Sequence, residues 1–200
     1  MEVALKGISI GVMVSFLIGP IFLGLIDITI TRGWKSGLAY ILAIIVSDAA
    51  LIILINEIFT EIHIEKFKFY VGLIGGIILM LFGVITFISK TNLKGVDTEN
   101  VKTIGGAFIK GISINLTNPF VIVWWMGLYT ATAVQGYTSN EKFIYYFFIL
   151  FTIFFFDLLK MRFGYYLKYN LSLEKLSMFK KLVGISLFVF GIVMLLRVLL

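Results

Sequence analysis

The chain has 200 residues, 60% of them hydrophobic and only 14% charged, with a mean hydropathy of +1.05; these values exclude a soluble globular domain and identify an integral membrane protein. Its 17 Lys and Arg against 11 Asp and Glu would suggest nucleic acid in a soluble protein, but here the cations flank apolar segments and report orientation in a bilayer, so no nucleic-acid partner is expected. Without cysteine, disulfides, thiolate metal sites and dithiol relays are excluded as well.

Roughly 20 apolar residues cross the hydrocarbon core, and the charged clusters divide the chain into six such stretches. The first runs from Val3 to Ile30, starts with no small-residue cleavage pattern and is read as a retained span rather than a signal peptide. It contains Lys-Gly-Ile-Ser-Ile at Lys6 to Ile10 and then Gly19-Pro20, the first of only two prolines. Proline in a helix interior removes a hydrogen bond and clashes with the preceding turn, at about 3 kcal/mol, so this helix is expected to be broken. Asp27 shares a helical face with Pro20 and Gly24; it reads either as a partner for a substrate ammonium or, with Arg32 nearby, as a cytoplasmic surface residue. The second span, Gly37 to Leu54, carries Asp48 between Ala39 to Val46 and Ala49 to Ile55, the most deeply placed acid of the chain. A charge at mid-bilayer costs about 3 kcal/mol, so such a residue is expected to face a cavity and to be a candidate proton carrier.

His63, the only histidine, falls in a charged loop and reads as solvated rather than as a metal ligand. The third span, Phe69 to Ile88, holds Gly72 and Gly76, a Gly-x-x-x-Gly pair that permits close helix approach within one chain or across a homodimer. Ser89 to Ile104, with Lys90, Lys94, Asp97, Glu99 and Lys102, reads as a cytoplasmic linker. In the fourth span, Ile104 to Thr130, Lys-Gly-Ile-Ser-Ile recurs at Lys110 to Ile114, and Asn118-Pro119 supplies the second helix break. Gly111, Asn115 and Asn118 share a face, and the amides either engage both ends of a zwitterion or bond between helices. Trp124 and Trp125 read as lipid contacts or interfacial anchors, with a tryptophan lining the pathway as the alternative. The fifth span, Phe143 to Phe163, carries Asp157 with Lys160 one turn away as a candidate ion partner; the sixth is Leu182 to Val198.

The pentapeptides lie 104 positions apart, Asp48 and Asp157 lie 109 apart, and Gly76 and Gly83 lie 108 before Gly184 and Gly191; the prolines are 99 apart. A series in consistent order argues for duplication, giving one transmembrane domain over 1–200 with repeats 1–88 and 105–200 joined by the linker 89–104. Three spans per half put the second copy upside down, so the expected fold is all-α, six transmembrane helices as two inverted three-helix repeats with broken first and fourth helices. Free N–H groups at each break attract a carboxylate, while the carbonyls of Phe16 and Asn115 lose their usual partners and are open to an ammonium. The candidate substrate residues are therefore Gly19, Pro20, Gly24, Asp27, Asn115, Asn118 and Pro119, with Asp48 and Asp157 for proton coupling. Twelve of the 17 cations follow the first, third and fifth spans, which predicts that side in the cytoplasm and both termini outside. Nucleotide loops, catalytic triads and His-rich metal motifs do not occur, so neither an enzyme nor a cofactor is expected.

Together, Lys-Gly-Ile-Ser-Ile through Gly19-Pro20, Thr-Arg-Gly-Trp-Lys-Ser-Gly at 31–37, Ser47-Asp48, and Gly111 through Asn118-Pro119-Phe120 resemble the LysE/RhtB superfamily of amino-acid exporters along essentially the whole chain. The resemblance implies proton-motive-force-driven efflux of amino acids or related small metabolites across the bacterial cytoplasmic (inner) membrane. Two departures, Ile18-Gly19-Pro20 where many members have Pro-Gly-Pro and Asp27 where a neutral residue is common, leave the family's lysine, arginine, threonine and homoserine unassigned here. The competing readings are a divalent metal cation exporter of the same superfamily, with the buried acids as oxygen ligands, and a non-transporting membrane scaffold.

Overall fold

The computed structural model of the chain describes residues 1–16, 19–61, 64–88 and 101–170, together with 177–178, 181–182, 184–185, 188–189, 191–193 and 195–196. Among these residues the structure is all-helical: α1 (Glu2–Ser15), α2 (Pro20–Arg32), α3 (Trp34–Glu61), α4 (Ile64–Ile88), α5 (Ile104–Leu116), α6 (Pro119–Val134) and α7 (Ser139–Asn170), with the described residues beyond 176 helical too. His63 and most of the expected linker lie outside the described residues.

Length and composition decide which helices can cross a bilayer. The apolar stretches Trp34–Phe59 of α3 and Ser139–Gly164 of α7 each have 26 residues, or about 39 Å at 1.5 Å per residue, enough for the hydrocarbon core. The first and fourth expected spans are each divided in two. α1 and α2 meet at 71°, and α5 and α6 meet at 62°; counting each bent pair as one crossing gives up to four spans. Leu73–Ile88 in α4 is a shorter apolar stretch, and the sixth expected span falls partly outside the described residues. The outer face of α7 suits lipid: Phe143, Phe147, Phe151 and Phe155, one turn apart, are all more than half exposed, a stripe that would be an aggregation liability in water.

Two helix pairs make the most extensive contacts, α1 on α7 and α5 on α3. Both rest on a glycine of the repeated pentapeptide. A Cβ on Gly7 would lie 2.7 Å from the Tyr145 carbonyl oxygen and 3.1 Å from Phe148 Cβ; one on Gly111 would lie 2.9 Å from the Tyr40 carbonyl oxygen and 2.7 Å from Ala43 Cβ. Hydrogen thus replaces a methyl where backbones touch, the small-residue packing expected of membrane helices. Tyr145 and Phe148 each follow Tyr40 and Ala43 by 105 positions, so the position on α7 that matches Asp48 by packing is Ile153. Asp157 falls one turn further along α7 than the sequence pairing placed it.

Gly33, between α2 and α3, has φ of 83°, the left-handed region that favours glycine, and its N–H closes the last turn of α2 on Thr29. Of the Gly72 and Gly76 pair, Gly76 makes a close approach inside the chain, while the surroundings of Gly72 lie outside the described residues. A Cβ on Gly76 would meet Leu195 Cγ at 2.7 Å and the Gly191 carbonyl at 3.0 Å, and one on Gly83 would meet the Gly184 carbonyl at 2.7 Å.

Candidate functional site

Neither proline interrupts a continuous helix. Pro20 and Pro119 are the first residues of α2 and α6, where the missing N–H would have had no intrahelical partner. Asn118 caps α6, its Oδ1 accepting from the Phe120 N–H at 3.1 Å. Gly19, which caps α2, has no side chain for that role. The Asn115 carbonyl, expected to be open to a ligand, instead accepts from the Asn118 N–H at 3.2 Å. A tight turn closes that break, so its acceptor is already used.

Between the two breaks lies a cavity of about 110 Å³, lined by Gly19 and Pro20 from one break, Asn115 and Asn118 from the other, Tyr40 and Asp48 of α3, and Asp157 and Lys160 of α7. Asp48 is buried at 5% exposure. Its Oδ1 accepts from Asn115 Nδ2 at 2.8 Å and from Trp125 Nε1 at 2.9 Å. Hydrogen bonds to a charged acceptor contribute about 1.5–3 kcal/mol each, so two neutral donors hold the carboxylate where no cation among the described residues does. Asn115, fully buried, also donates to Ser47 Oγ at 2.8 Å. That network orients its amide nitrogen toward α3, and its Oδ1 has no hydrogen-bond partner among the described residues.

Trp124, also on the cavity wall, carries a buried Nε1 with no partner among the described residues. The Tyr40 hydroxyl donates to the Ile21 carbonyl at 3.2 Å and ties α3 to the first turn of α2. Asp157 is paired with Lys160 at 2.7 Å, the two side chains 8% and 18% exposed. The cavity thus holds one neutralised ion pair and one carboxylate held by uncharged donors alone. Among the described residues no group of three or more His, Cys, Asp or Glu gathers to hold a metal.

Of the nine candidate residues, the structure brings Gly19, Pro20, Asp48, Asn115, Asn118 and Asp157 to this cavity. Gly24 instead makes room for Tyr40, whose hydroxyl would lie 2.5 Å from an added Cβ. Asp27 is half-buried on α2 and is not among the lining residues; Pro119 begins α6, and the surroundings of its side chain lie outside the described residues. Sequence reasoning missed Tyr40 and Trp125; the tryptophan expected to face lipid is 2% exposed and bound to Asp48. Its spacing was the available signal, because Trp125 follows Asn118 by seven residues, two turns along one face of α6.

A family model described as LysE type translocator matches residues 12–197. The chain is 25% identical to the "Putative amino acid efflux protein YcgF" of Bacillus subtilis (strain 168), with 72% of each chain covered. No solved structure matches.

Proposed function

The chain belongs to the LysE type translocators, a family of transporters and not of enzymes, and from that membership we propose that it is a secondary exporter carrying an amino acid or a related small metabolite out of a bacterial cytoplasm across the inner membrane, driven by the proton motive force. The observation that carries the reading is the Asp48 carboxylate, buried in a cavity between two helix breaks and held there by uncharged donors only. The name of the Bacillus relative, an amino acid efflux protein, points the same way.

A zwitterion fits the groups present. Its ammonium is drawn to Asp48 and the unpartnered Asn115 Oδ1, and its carboxylate to the unpartnered Trp124 Nε1 and the positive end of α2, where Gly19 brings no competing side chain. Coupling follows from charge balance. Asp48 is neutralised either by the ammonium or by a proton, and a site that accepts one at a time exchanges an outgoing amino acid for an incoming proton. Asp157, already neutralised by Lys160, is the lesser candidate for that role.

Two inverted three-helix repeats, rocking about the cavity so that it opens to one side and then the other, supply the alternating access. The matching glycine seats of α1 on α7 and α5 on α3 support that duplication. With 12 of the 17 Lys and Arg beside the first, third and fifth expected spans, the positive-inside rule favours both termini outside. A hard divalent cation has less support as cargo: it takes six or more oxygen ligands, whereas the acids lining this cavity are Asp48 and one already tied to Lys160, with the unpartnered Asn115 Oδ1 beside them.

The test is efflux from proteoliposomes loaded with labelled amino acids, with and without an imposed pH gradient, comparing the wild type with Asp48→Asn. Gradient-dependent efflux lost in the variant is the expected result. Manganese flux without amino-acid flux would transfer the reading to a metal exporter, and no flux from well-folded protein would favour a scaffold.

A further inference from the structure

Among the described residues, two acids and one amine line the cavity: Asp48, Asp157 and Lys160. The Lys160 ammonium is held from two sides, 2.7 Å from Asp157 Oδ1 and 5.9 Å from the centre of the Phe22 ring, and both of those partners belong to the same wall. Asp157 and Lys160 therefore neutralise each other, and Asp48 is left as the one lining carboxylate without a counterion among the described residues. The cargo's α-ammonium takes that place. A side-chain ammonium would then have no acid of its own and would meet the Lys160 cation, while a side-chain carboxylate would find that cation already taken. An unpaired charge in a buried site, like two charges of one sign set together, is strongly unfavourable.

Resting on the exporter reading, we propose that Lys160 is a specificity-determining residue: by neutralising Asp157 it restricts the cargo to amino acids whose side chains carry no charge. A wall that mixes hydrocarbon with Ser15, Tyr40 and Asn118 accommodates polar and apolar members of that class alike. Removing the ammonium changes the rule. In Lys160→Met a second carboxylate faces the cavity uncompensated, and a dibasic amino acid supplies the missing counterion. In Lys160→Met with Asp157→Asn neither charge is present, and dibasic cargo is again refused.

The experiment loads proteoliposomes of the full chain with equal concentrations of labelled alanine, valine, threonine, glutamine, glutamate, lysine or arginine. Initial efflux is measured under one pH gradient with the membrane potential clamped at zero. The wild type is expected to export at least one of the four neutral amino acids, and glutamate, lysine and arginine at least about 30-fold more slowly than the fastest of them. In Lys160→Met the lysine rate, relative to that neutral amino acid, is expected to rise about tenfold or more and to fall back when Asp157→Asn is added. Lys160→Gln, which keeps an uncharged donor for Asp157, carries the same comparison if the Met variant does not fold. A charged amino acid that leaves the wild type as fast as the best neutral one, or a lysine ratio that neither Lys160 substitution moves, overturns the charge rule while the exporter stands. No efflux of any of the seven removes both.

Discussion

Gly111→Ala adds one methyl where α5 presses on α3. The new Cβ would stand 2.7 Å from Ala43 Cβ, 2.9 Å from the Tyr40 carbonyl oxygen and 3.3 Å from Tyr40 Cδ2. Carbon atoms separate comfortably at 3.5–4.0 Å, so α5 must move away by about 1 Å. One turn on, the same movement carries Asn115 from its 2.8 Å contact with Asp48 Oδ1 to beyond hydrogen-bond range. Overpacking costs about 1–3 kcal/mol, and replacing a helical glycine returns about 1 kcal/mol; the net loss of stability is about 0–2 kcal/mol, or a few degrees in Tm. Transport carries the larger signal. Losing a hydrogen bond to a charged group, about 1.5–3 kcal/mol, corresponds to roughly a 10- to 150-fold fall in efflux kcat/KM. Gly127→Ala is the control, since its Cβ meets nothing within 4 Å, and it should leave flux unchanged. Adding Ala43→Gly to Gly111→Ala removes the closest collision and should restore part of the activity. The reasoning is refuted if Gly111→Ala in proteoliposomes is as active as Gly127→Ala, or if the second substitution restores nothing.

Trp125→Phe keeps the ring but deletes the N–H that lies 2.9 Å from Asp48; efflux kcat/KM should fall roughly 10- to 100-fold, with little change in the unfolding midpoint. Lys160→Met leaves Asp157 buried without its ion partner and should cost about 3–5 kcal/mol in thermal unfolding, most of it recovered by adding Asp157→Asn. Asn118→Ala removes the side-chain cap of α6 and should lower stability by about 1 kcal/mol in thermal unfolding.

Two prolines made the helix breaks legible in the sequence, because a proline in an apolar span forces a choice between kink and restart, and the restarts begin at Pro20 and Pro119. Asp48 was legible for a similar reason: an acid amid unbroken hydrocarbon needs partners. Those partners were not, since Asn115 and Trp125 lie 67 and 77 positions away and meet Asp48 only once α5 and α6 pack on α3. Asp157 was paired with Asp48 at a spacing one turn too long because residues four apart share a helical face, so pattern alone tolerates the slip; the glycine seats of α1 and α5 resolve it. Asp27 looked suited to a ligand by its spacing from Pro20, yet seven residues are about 10 Å along α2, and Asp27 is not among the residues that line the cavity.

The unequal caps at the two breaks bear on the kinetics of the cycle. Asn118 clasps the first turn of α6, while Gly19 leaves that of α2 without a side-chain clasp, so the Gly19 junction is the more compliant. A difference in stiffness cannot choose the direction of net flux, which the gradients alone determine. In the proposed rocking cycle it distinguishes the two half-cycles, making the leg that strains the Asn118 junction the slower one.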